Sequence, residues 1–334
     1  MNRPPEEFIV VQEEHLLDFT NACFQASGIE EEHASVISRL LVNSDLRGVR
    51  SHGTNTVNGY CSMFERGDAN PRPNIQFIGE TPTSVILDGD GTLGYWPTTQ
   101  ATEGAIEKAR ELGIGMGIVR HIGHYGSAGH YARMCAKAGC IGFSVSGYQN
   151  QGNASGHETP PQVGYFGNPP ICFAMPRGEE PPVVLDAATR ILADYQVGPE
   201  FDDLLERIPA AFFKSMGYTA VATLMGGALA GIGLPSAAEY RERWPVATQS
   251  AMVLAIRVDA VVPKEAFLAE ADRLVRDVRE TYTPMPGADR ALLPGAIEEE
   301  RMERYRREGI PYGELEQENA RALSERLGIA LPWD

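Results

Sequence analysis

The chain is short of positive charge. Its 334 residues include 29 lysines and arginines against 45 aspartates and glutamates, a net charge of −16 at pH 7. Because so acidic a surface repels phosphate backbones and anionic lipid headgroups, we expect neither nucleic acid nor a membrane as a partner. The five cysteines are odd in number and form no C-x-x-C pair. That usage predicts reduced thiols and a cytoplasmic location rather than a disulfide framework.

Long apolar runs are also scarce. The N-terminal segment lacks the apolar core of a secretory signal. One stretch without charge, residues 215–238, is long enough to cross a bilayer, but it is rich in glycine and alanine and only weakly hydrophobic. We therefore predict a buried helix from Tyr218 to Leu229 there. A hydrophobic content of 43% is enough for a full core.

Strand and helix patterns alternate along most of the chain, which predicts an α/β fold. Predicted strands cover 84–88, 114–119, 141–146, 171–175, 183–186 and 251–258. Predicted helices cover 33–45, 99–112, 127–138 and 263–282, and a charged, solvated helix covers 298–308. The stretch 147–170 is rich in glycine, asparagine and proline, and we predict a long loop that contributes to the site.

A glycine motif, Gly89-Asp90-Gly91-Thr92-Leu93-Gly94, matches the dinucleotide fingerprint G-x-G-x-x-G. The fingerprint also needs an acid at the end of the next strand to hold the ribose, and that strand ends Val119-Arg120-His121. The Tyr95-Trp96-Pro97 segment is also expected to delay the next helix, so that its N-terminus would not face the phosphates. A tight glycine turn is therefore favoured over a Rossmann site.

Histidines offer two kinds of site. His121, His124 and His130 have a spacing that could bind a metal, but the glycines among them indicate a turn and no cysteine or carboxylate completes the set, so we predict no metal site. His52 and His124 each lie beside a glycine turn at the end of an element, where a neutral imidazole can transfer a proton. Spacing alone leaves a catalytic and a structural role open for this pair.

Two further polar residues stand out. Asp186 ends the predicted strand 183–186, where it could contact a ligand hydroxyl, orient a histidine or cap the next helix. Lys214 directly precedes the uncharged stretch. Because a cation at a helix N-terminus opposes the helix dipole, we predict that Lys214 binds an anion such as a phosphate.

Taken together and in order, five parts of the chain resemble the type-2 malate/L-lactate dehydrogenase family, which includes sulfolactate and ureidoglycolate dehydrogenases. The parts are Asp45-Leu-Arg-Gly-Val-Arg-Ser-His-Gly53, Gly113–Arg120 with His124-Tyr-Gly-Ser-Ala-Gly-His-Tyr131, Asp186-Ala-Ala-Thr189, Lys214–Gly231 and Leu293-Pro-Gly295. The resemblance runs over nearly the whole length of the chain.

The resemblance implies the family's α/β fold, with a non-Rossmann cofactor domain and a helical substrate domain built from both termini. Residues 1–75 would form the N-terminal helical part of the substrate domain and residues 76–240 the cofactor-binding domain. Residues 241–334 would pack back on the N-terminal part. The resemblance also implies a homodimer.

The implied activity is that of an oxidoreductase that uses NAD or NADP. It would transfer a hydride between nicotinamide and a hydroxyl/carbonyl or amine/imine carbon of a small polar substrate, with His124 as proton acceptor or donor. His52 and Asp186 would complete the catalytic group. Residues implied at the substrate are Ser51, Tyr60 and Thr56. Residues implied at the cofactor are Tyr148, Asp186, Ala187, Ala188, Lys214 and Gly295.

The sequence departs from the family pattern in four places. Thr56 stands where the family usually has an arginine that clamps a substrate carboxylate, and the segment between Asp186 and Lys214 is short. The asparagine of the family's G-T-N-P motif is displaced in Gly167-Asn168-Pro169-Pro170, and the glycines that usually flank the lysine are absent around Lys214. Two alternatives therefore stay open. One is a divergent lyase, isomerase or hydrolase that uses His52 and His124. The other is a binding protein without catalysis.

Overall fold

The computed structural model describes residues 4–148, 168–192 and 198–334. A seven-stranded mixed sheet forms its centre, and two further strands pair with each other in a separate small sheet. The strands are β1 (Phe8–Val11), β2 (Gln76–Thr81), β3 (Ser84–Asp88), β4 (Ile114–Ile122), β5 (Cys140–Tyr148), β6 (Pro170–Ala174), β7 (Val184–Ala188), β8 (Gln249–Arg257) and β9 (Ile310–Gly313). The helices are α1 (Glu13–Ala26), α2 (Glu31–Leu46), α3 (Val57–Glu65), α4 (Tyr95–Leu112), α5 (Gly129–Lys137), α6 (Pro199–Arg207), α7 (Pro209–Ala222), α8 (Pro235–Arg243), α9 (Lys264–Thr281), α10 (Ala296–Glu308) and α11 (Glu314–Leu327).

The sheet has the order β2-β3-β4-β8-β5-β6-β7. Only β3 and β4 pair in parallel, and every other neighbouring pair is antiparallel. A Rossmann domain needs a mostly parallel sheet, so the non-Rossmann prediction is confirmed. One reason given for it was wrong, because α4 begins at Tyr95, directly after Gly94, without delay.

Three buried clusters hold the layers together. Two of them cover the two faces of the sheet, one beneath α4 and α5 and the other around Phe143, Val145 and Ala222. The third joins α1, α2 and α3 to α10, β9 and α11, and β1 pairs with β9 beside it. Apolar side chains from both ends of the chain therefore bury one another. The division at residues 75 and 240 stays a prediction, and the sheet takes its central strand, β8, from the last of the three parts.

Two local predictions were wrong. β7 continues to Ala188, so Asp186 lies in the middle of a strand and caps no helix. Lys214 lies inside α7 rather than before a helix, which removes the helix N-terminus from its predicted role. The helix expected from Tyr218 to Leu229 is the end of α7 and a π-helical turn, and these two side chains are 61% and 55% exposed.

That exposed face is apolar because α7 packs on the sheet only through small residues. The side chains of Thr219 and Ala222 and the backbone of Gly226 are buried, while those of Tyr218 and Leu224 point away. Among the residues described, no helix combines the length and apolarity that a bilayer span requires.

Candidate active site

A short turn after α2 carries Ser51 and His52. Its glycine, Gly53, is required by packing: a Cβ there would lie 1.7 Å from Asp45 Oδ1. Asp45 accepts hydrogen bonds from Thr54 N at 2.9 Å and Thr54 Oγ1 at 2.6 Å. Burial raises the pKa of Asp45 to about 7, although the Thr54 hydrogen bonds oppose the shift. This buried carboxylate fixes the turn, and sequence reasoning gave it no role.

The His52 and His124 rings stack with centroids 5.4 Å apart and planes 30° apart. Ser51 Oγ lies 2.9 Å from His52 Nδ1. Burial lowers the pKa of His52, against the pull of the Asp186 charge. Burial lowers the pKa of His124 to about 3, and His52 adds to the shift. Both imidazoles are therefore neutral at pH 7.

Tyr60 orients His124. A hydrogen bond joins Tyr60 Oη and His124 Nδ1 at 2.6 Å, and a second joins the Tyr60 and Tyr95 hydroxyls at 3.2 Å. Burial raises the pKa of Tyr60 to about 12, so the phenol keeps its proton. Tyr95 can approach only because residue 126 is glycine: its φ is 80°, and a Cβ there would lie 2.5 Å from the Tyr95 ring. Sequence reasoning missed Tyr95 because it placed the residue before the helix.

Thr56 lies beside this tyrosine. Its hydroxyl donates to Gly53 O at 2.8 Å and is within hydrogen-bonding reach of the Tyr60 hydroxyl. A neutral group therefore occupies the place where the family resemblance implies an arginine. The threonine hydroxyl already donates its one proton to Gly53 O, and it cannot neutralise a carboxylate.

Asp186 lies close enough to His52 for its charge to raise the pKa of that ring. Its Oδ2 accepts hydrogen bonds from Ser127 Oγ and, at 2.9 Å, from Gly129 N. These two donors lie at the start of α5, and the Asp186 carboxylate remains exposed. The carboxylate is held in place by the turn that follows His124, yet it is open to a ligand. Ser127 was missed by sequence reasoning, because no spacing rule links it to Asp186.

The other predicted cofactor residues are spread along β7. Ala187 and Ala188 follow Asp186 on that strand. Beyond the strand, Ser215 Oγ donates to Thr189 O at 2.6 Å, which brings the exposed Lys214 to this end of β7. At the opposite end, Val184 N donates to Pro294 O at 2.8 Å. Gly295, at the start of α10, packs against that same residue, Val184.

Tyr148 is the last residue of β5. The predicted site loop continues from it, and residues 149–167 lie outside the described part of the chain. The end of β5, the start of β6 and the end of β7 lie at the same end of the strands in the sheet. Tyr148 lies at that end.

The three histidines weighed as a metal site bind separate partners. His121 Nδ1 lies 2.8 Å from Asp88, His124 binds Tyr60, and His130 Nε2 lies 3.3 Å from Ser44 Oγ. No group of three metal-ligating side chains occurs within the described ranges.

This donor set fits a nicotinamide dinucleotide. Asp186 is exposed and is followed by two small residues, and Lys214 supplies a cation at one end of β7. The opposite end borders a cavity of about 330 Å³ lined by Arg47, Arg133 and Lys137, among others. Cations beside an apolar strand suit a ligand that has both phosphates and a flat ring.

Comparison with known proteins gives the same family. The family profile for malate/L-lactate dehydrogenase matches residues 11–197 and 204–319. The chain is 26% identical to the L-sulfolactate dehydrogenase of Methanocaldococcus jannaschii over 336 residues, which cover 90% of this chain and 92% of that protein. It is 24% identical to the ureidoglycolate dehydrogenase (NAD(+)) of Escherichia coli K12, over 85% of this chain and 87% of that protein.

The chain is also 35% identical to the malate dehydrogenase of Pyrococcus horikoshii, but over 190 residues, about half of each protein (56% and 51%). The solved structure of the Pyrococcus horikoshii OT3 enzyme superimposes with a TM-score of 0.82 over 98% of both chains, at 24% identity. This likeness confirms the predicted fold. Because the profile matches most of its length, the chain belongs to the malate/L-lactate dehydrogenase family, and the prediction of an oxidoreductase with a nicotinamide cofactor is confirmed.

Proposed function

We propose that this protein transfers a hydride reversibly between a nicotinamide cofactor and a carbon that bears a hydroxyl or an amine, with His124 moving the substrate proton. One observation carries the proposal: two neutral imidazoles stack 5.4 Å apart, and Tyr60 Oη holds the second of them at 2.6 Å. A half-buried, neutral pair of this kind suits proton exchange with a substrate oxygen or nitrogen. A lyase, isomerase or hydrolase could use the same histidine pair, and the dehydrogenase relatives over most of the chain favour the redox function.

When bound, the nicotinamide supplies or accepts the hydride. We propose that the residues around β7 hold the cofactor. They are Tyr148, Asp186, Ala187, Ala188, Lys214 and Gly295. Asp186 is exposed while two donors of the α5 turn fix it, so it can accept a ligand hydroxyl without moving.

We propose that Tyr60 fixes the tautomer of His124 by accepting from Nδ1–H, which leaves the lone pair of Nε2 free. In oxidation Nε2 accepts the substrate hydroxyl proton, and His124 becomes an imidazolium. In reduction that imidazolium returns the proton to the substrate oxygen. The Tyr60 hydroxyl lies 3.2 Å from that of Tyr95, which can accept its proton. His52 and Ser51 lie on the open side of His124, where they would bind the same substrate oxygen.

We propose a small polar substrate with a neutral group beside the reacting carbon. The support is Thr56, whose hydroxyl reaches Gly53 O and the Tyr60 hydroxyl. A substrate carboxylate at this position would lose its water without gaining a cation. The relatives named above act on malate, sulfolactate or ureidoglycolate. This chain would differ from them in preferring a substrate with a neutral group beside the reacting carbon.

The proposed assembly is a homodimer. The exposed apolar face of α7 and of the π-helical turn after it supports this, since Phe213 is 71% and Leu224 61% exposed. Analytical ultracentrifugation tests this, and a single species at the chain mass of 36.4 kDa would contradict it. All five cysteines are free and buried, which supports the proposed cytoplasmic location.

The test of the redox function begins with binding. NADH and NADPH should each quench protein fluorescence on titration, and a panel of neutral ketones, imines and 2-oxo acids should then identify a substrate by loss of cofactor absorbance. His124→Gln should lower kcat by about 10²–10⁴-fold. Cofactor affinity should not change.

The matched control is His15→Gln, the same change at an exposed position of α1. Binding of neither cofactor would reject the proposed function. Full turnover by His124→Gln would reject the role of this residue alone.

A further inference from the structure

A serine, a histidine and an aspartate lie in line where β3, β4 and α8 meet. Asp88 ends β3, His121 is the second-last residue of β4, and Ser236 is the second residue of α8. His121 Nδ1 lies 2.8 Å from Asp88 Oδ2, and Ser236 Oγ lies 3.5 Å from His121 Nε2. A carboxylate and a hydroxyl thus contact opposite nitrogens of one imidazole, as in the Ser-His-Asp triads of hydrolases. The proposed hydride transfer uses none of the three residues.

The backbone and its neighbours hold the His121 ring in place. The φ of His121 is 55°, a left-handed conformation that is uncommon outside glycine and that clusters at functional sites. The ring stacks on Tyr240 with centroids 4.0 Å apart and planes 10° apart. Burial alone would raise the pKa of Asp88, but hydrogen bonds from His121 and from Asp90 N lower it. The charged carboxylate therefore accepts Nδ1–H, and the lone pair of Nε2 faces Ser236.

The serine is the accessible member of the group. His121 and Asp88 are buried, whereas Ser236 is half-buried and follows the exposed Pro235. Its 3.5 Å distance to the ring is long for a hydrogen bond, but the hydrogen bonds of catalytic pairs frequently tighten only when substrate binds. Because the first N–H groups of a helix have no intrahelical acceptor, the backbone N–H of Ser236 can donate to an oxyanion. Leu234, 44% exposed, is an apolar neighbour for an acyl group.

We propose that Ser236 is a nucleophile activated by His121 and that this second site hydrolyses small carboxylic esters. In the first step Ser236 Oγ bonds to the ester carbonyl carbon and its proton passes to His121 Nε2. The bond to the alkoxide breaks, and the alcohol leaves with that proton. In the second step water bonds to the acyl carbon, Nε2 accepts a proton from it, and the Ser236–acyl bond breaks. The carboxylic acid leaves, and Ser236 Oγ regains the proton.

The test uses the full chain with two probes, p-nitrophenyl acetate and an alkyl fluorophosphonate, and peptide mass spectrometry locates the adduct. The wild type should hydrolyse the ester and form a phosphonyl bond at Ser236 with loss of fluoride. Ser236→Ala should lose the adduct and lower the esterase rate by at least about tenfold, and His121→Asn should lower both rates by about 10²-fold. Asparagine tolerates a positive φ, so this variant should fold, and its Tm checks that. Ser35→Ala, at an exposed position of α2, is the matched control and should retain both rates.

Asp88 acts through His121 and is therefore a positioning residue. In Asp88→Asn the amide can donate to Nδ1, so that the ring proton lies on Nε2 and faces Ser236. Heteronuclear NMR of the ring nitrogens should show this change of tautomer, and adduct formation should fall by about 10²-fold. A loss of packing alone would lower Tm and leave the tautomer as it is.

Two results would overturn the proposal. One is the absence of an adduct at Ser236 in the wild type. The other is an equal rate of adduct formation in wild type and His121→Asn, which would mean that the histidine does not activate the serine. Both results leave the proposed hydride transfer standing, because that reaction depends on other residues.

Discussion

The two ends of α5 make opposite use of ionisable side chains. Near its start, His124 is half-buried and Tyr60 is buried, and burial lowers the pKa of the imidazole to about 3 and raises that of the phenol to about 12. Near its end, Arg133 and Lys137 line a cavity beside three more cations. Burial therefore removes charge where a proton must move, while the open cavity preserves charge where an anion would bind. One helix of nine residues separates the two environments.

Thr56→Arg should produce the largest change, because it places a charge at the neutral end. We expect it to raise kcat/KM for a 2-oxo acid such as pyruvate by about ten- to a hundredfold, since a charge-assisted pair with the carboxylate contributes about 1.5–3 kcal/mol. Activity on neutral ketones should fall. Thr56→Gln is the control for side-chain size without charge. Strong wild-type activity on pyruvate or oxaloacetate would contradict the role given to Thr56.

Tyr60→Phe should have the next largest effect. The change removes the hydrogen bond to His124 Nδ1 and with it the control of the tautomer, so kcat should fall by about tenfold, while the Kd of the cofactor stays the same. A loss of packing alone would lower stability without altering the pH profile of kcat. We therefore expect a changed pH dependence in Tyr60→Phe and an unchanged one in Tyr282→Phe, where an exposed phenol is lost.

Much of the fold follows from periodicity in the sequence. The strands at 84–88 and 251–258 and the helix at 263–282 were predicted to within two residues, because each has a regular apolar face and ends at glycine, proline or a charged residue. The exposed face of α7 was wrongly predicted as buried. A run of alanine and glycine indicates close packing on one side, and composition cannot show that the opposite side faces outward.

The site was only partly predictable. His52 and His124 are 72 residues apart, and glycine turns gave the signal, but only folding brings the rings together. Tyr95, Asp45 and the cationic cavity had no local signal, because each depends on contacts between distant parts of the chain. Lys214 was predicted to bind an anion because it was placed at a helix N-terminus, but α7 begins at Pro209. The prediction is now supported only by the position of Lys214 near Thr189, at the end of β7.

The pH dependence of stability should show the cost of charging a third histidine, His33, that burial keeps neutral. Both ring nitrogens of His33 are buried without a partner, and burial lowers its pKa from 6.5 to about 3. The unfolded chain therefore binds more protons than the folded one below pH 6.5, and stability falls as pH falls from 6.5 toward 3. Between pH 7 and pH 5 the unfolding free energy of the wild type should fall by about 2 kcal/mol more than that of His33→Leu.

Urea unfolding at the two pH values measures this difference. His15→Leu, at an exposed position, is the control and should retain the wild-type pH dependence. An equal loss of stability in His33→Leu and wild type would show that folding does not lower the pKa of His33.

Salt should have the smallest effect and act on one end of α5 only. Charges that face an open cavity are screened over a Debye length of about 8 Å at physiological ionic strength, whereas a neutral buried pair has no charge to screen. Raising sodium chloride should therefore increase the KM for the nicotinamide cofactor several-fold and leave kcat at saturating cofactor nearly constant. The variants Lys137→Gln and Lys264→Gln should flatten the salt dependence of KM, because each removes one of the screened charges. A parallel fall of kcat with salt would mean that the proton-transfer end also depends on a charge, and the contrast between the two ends of α5 would be lost.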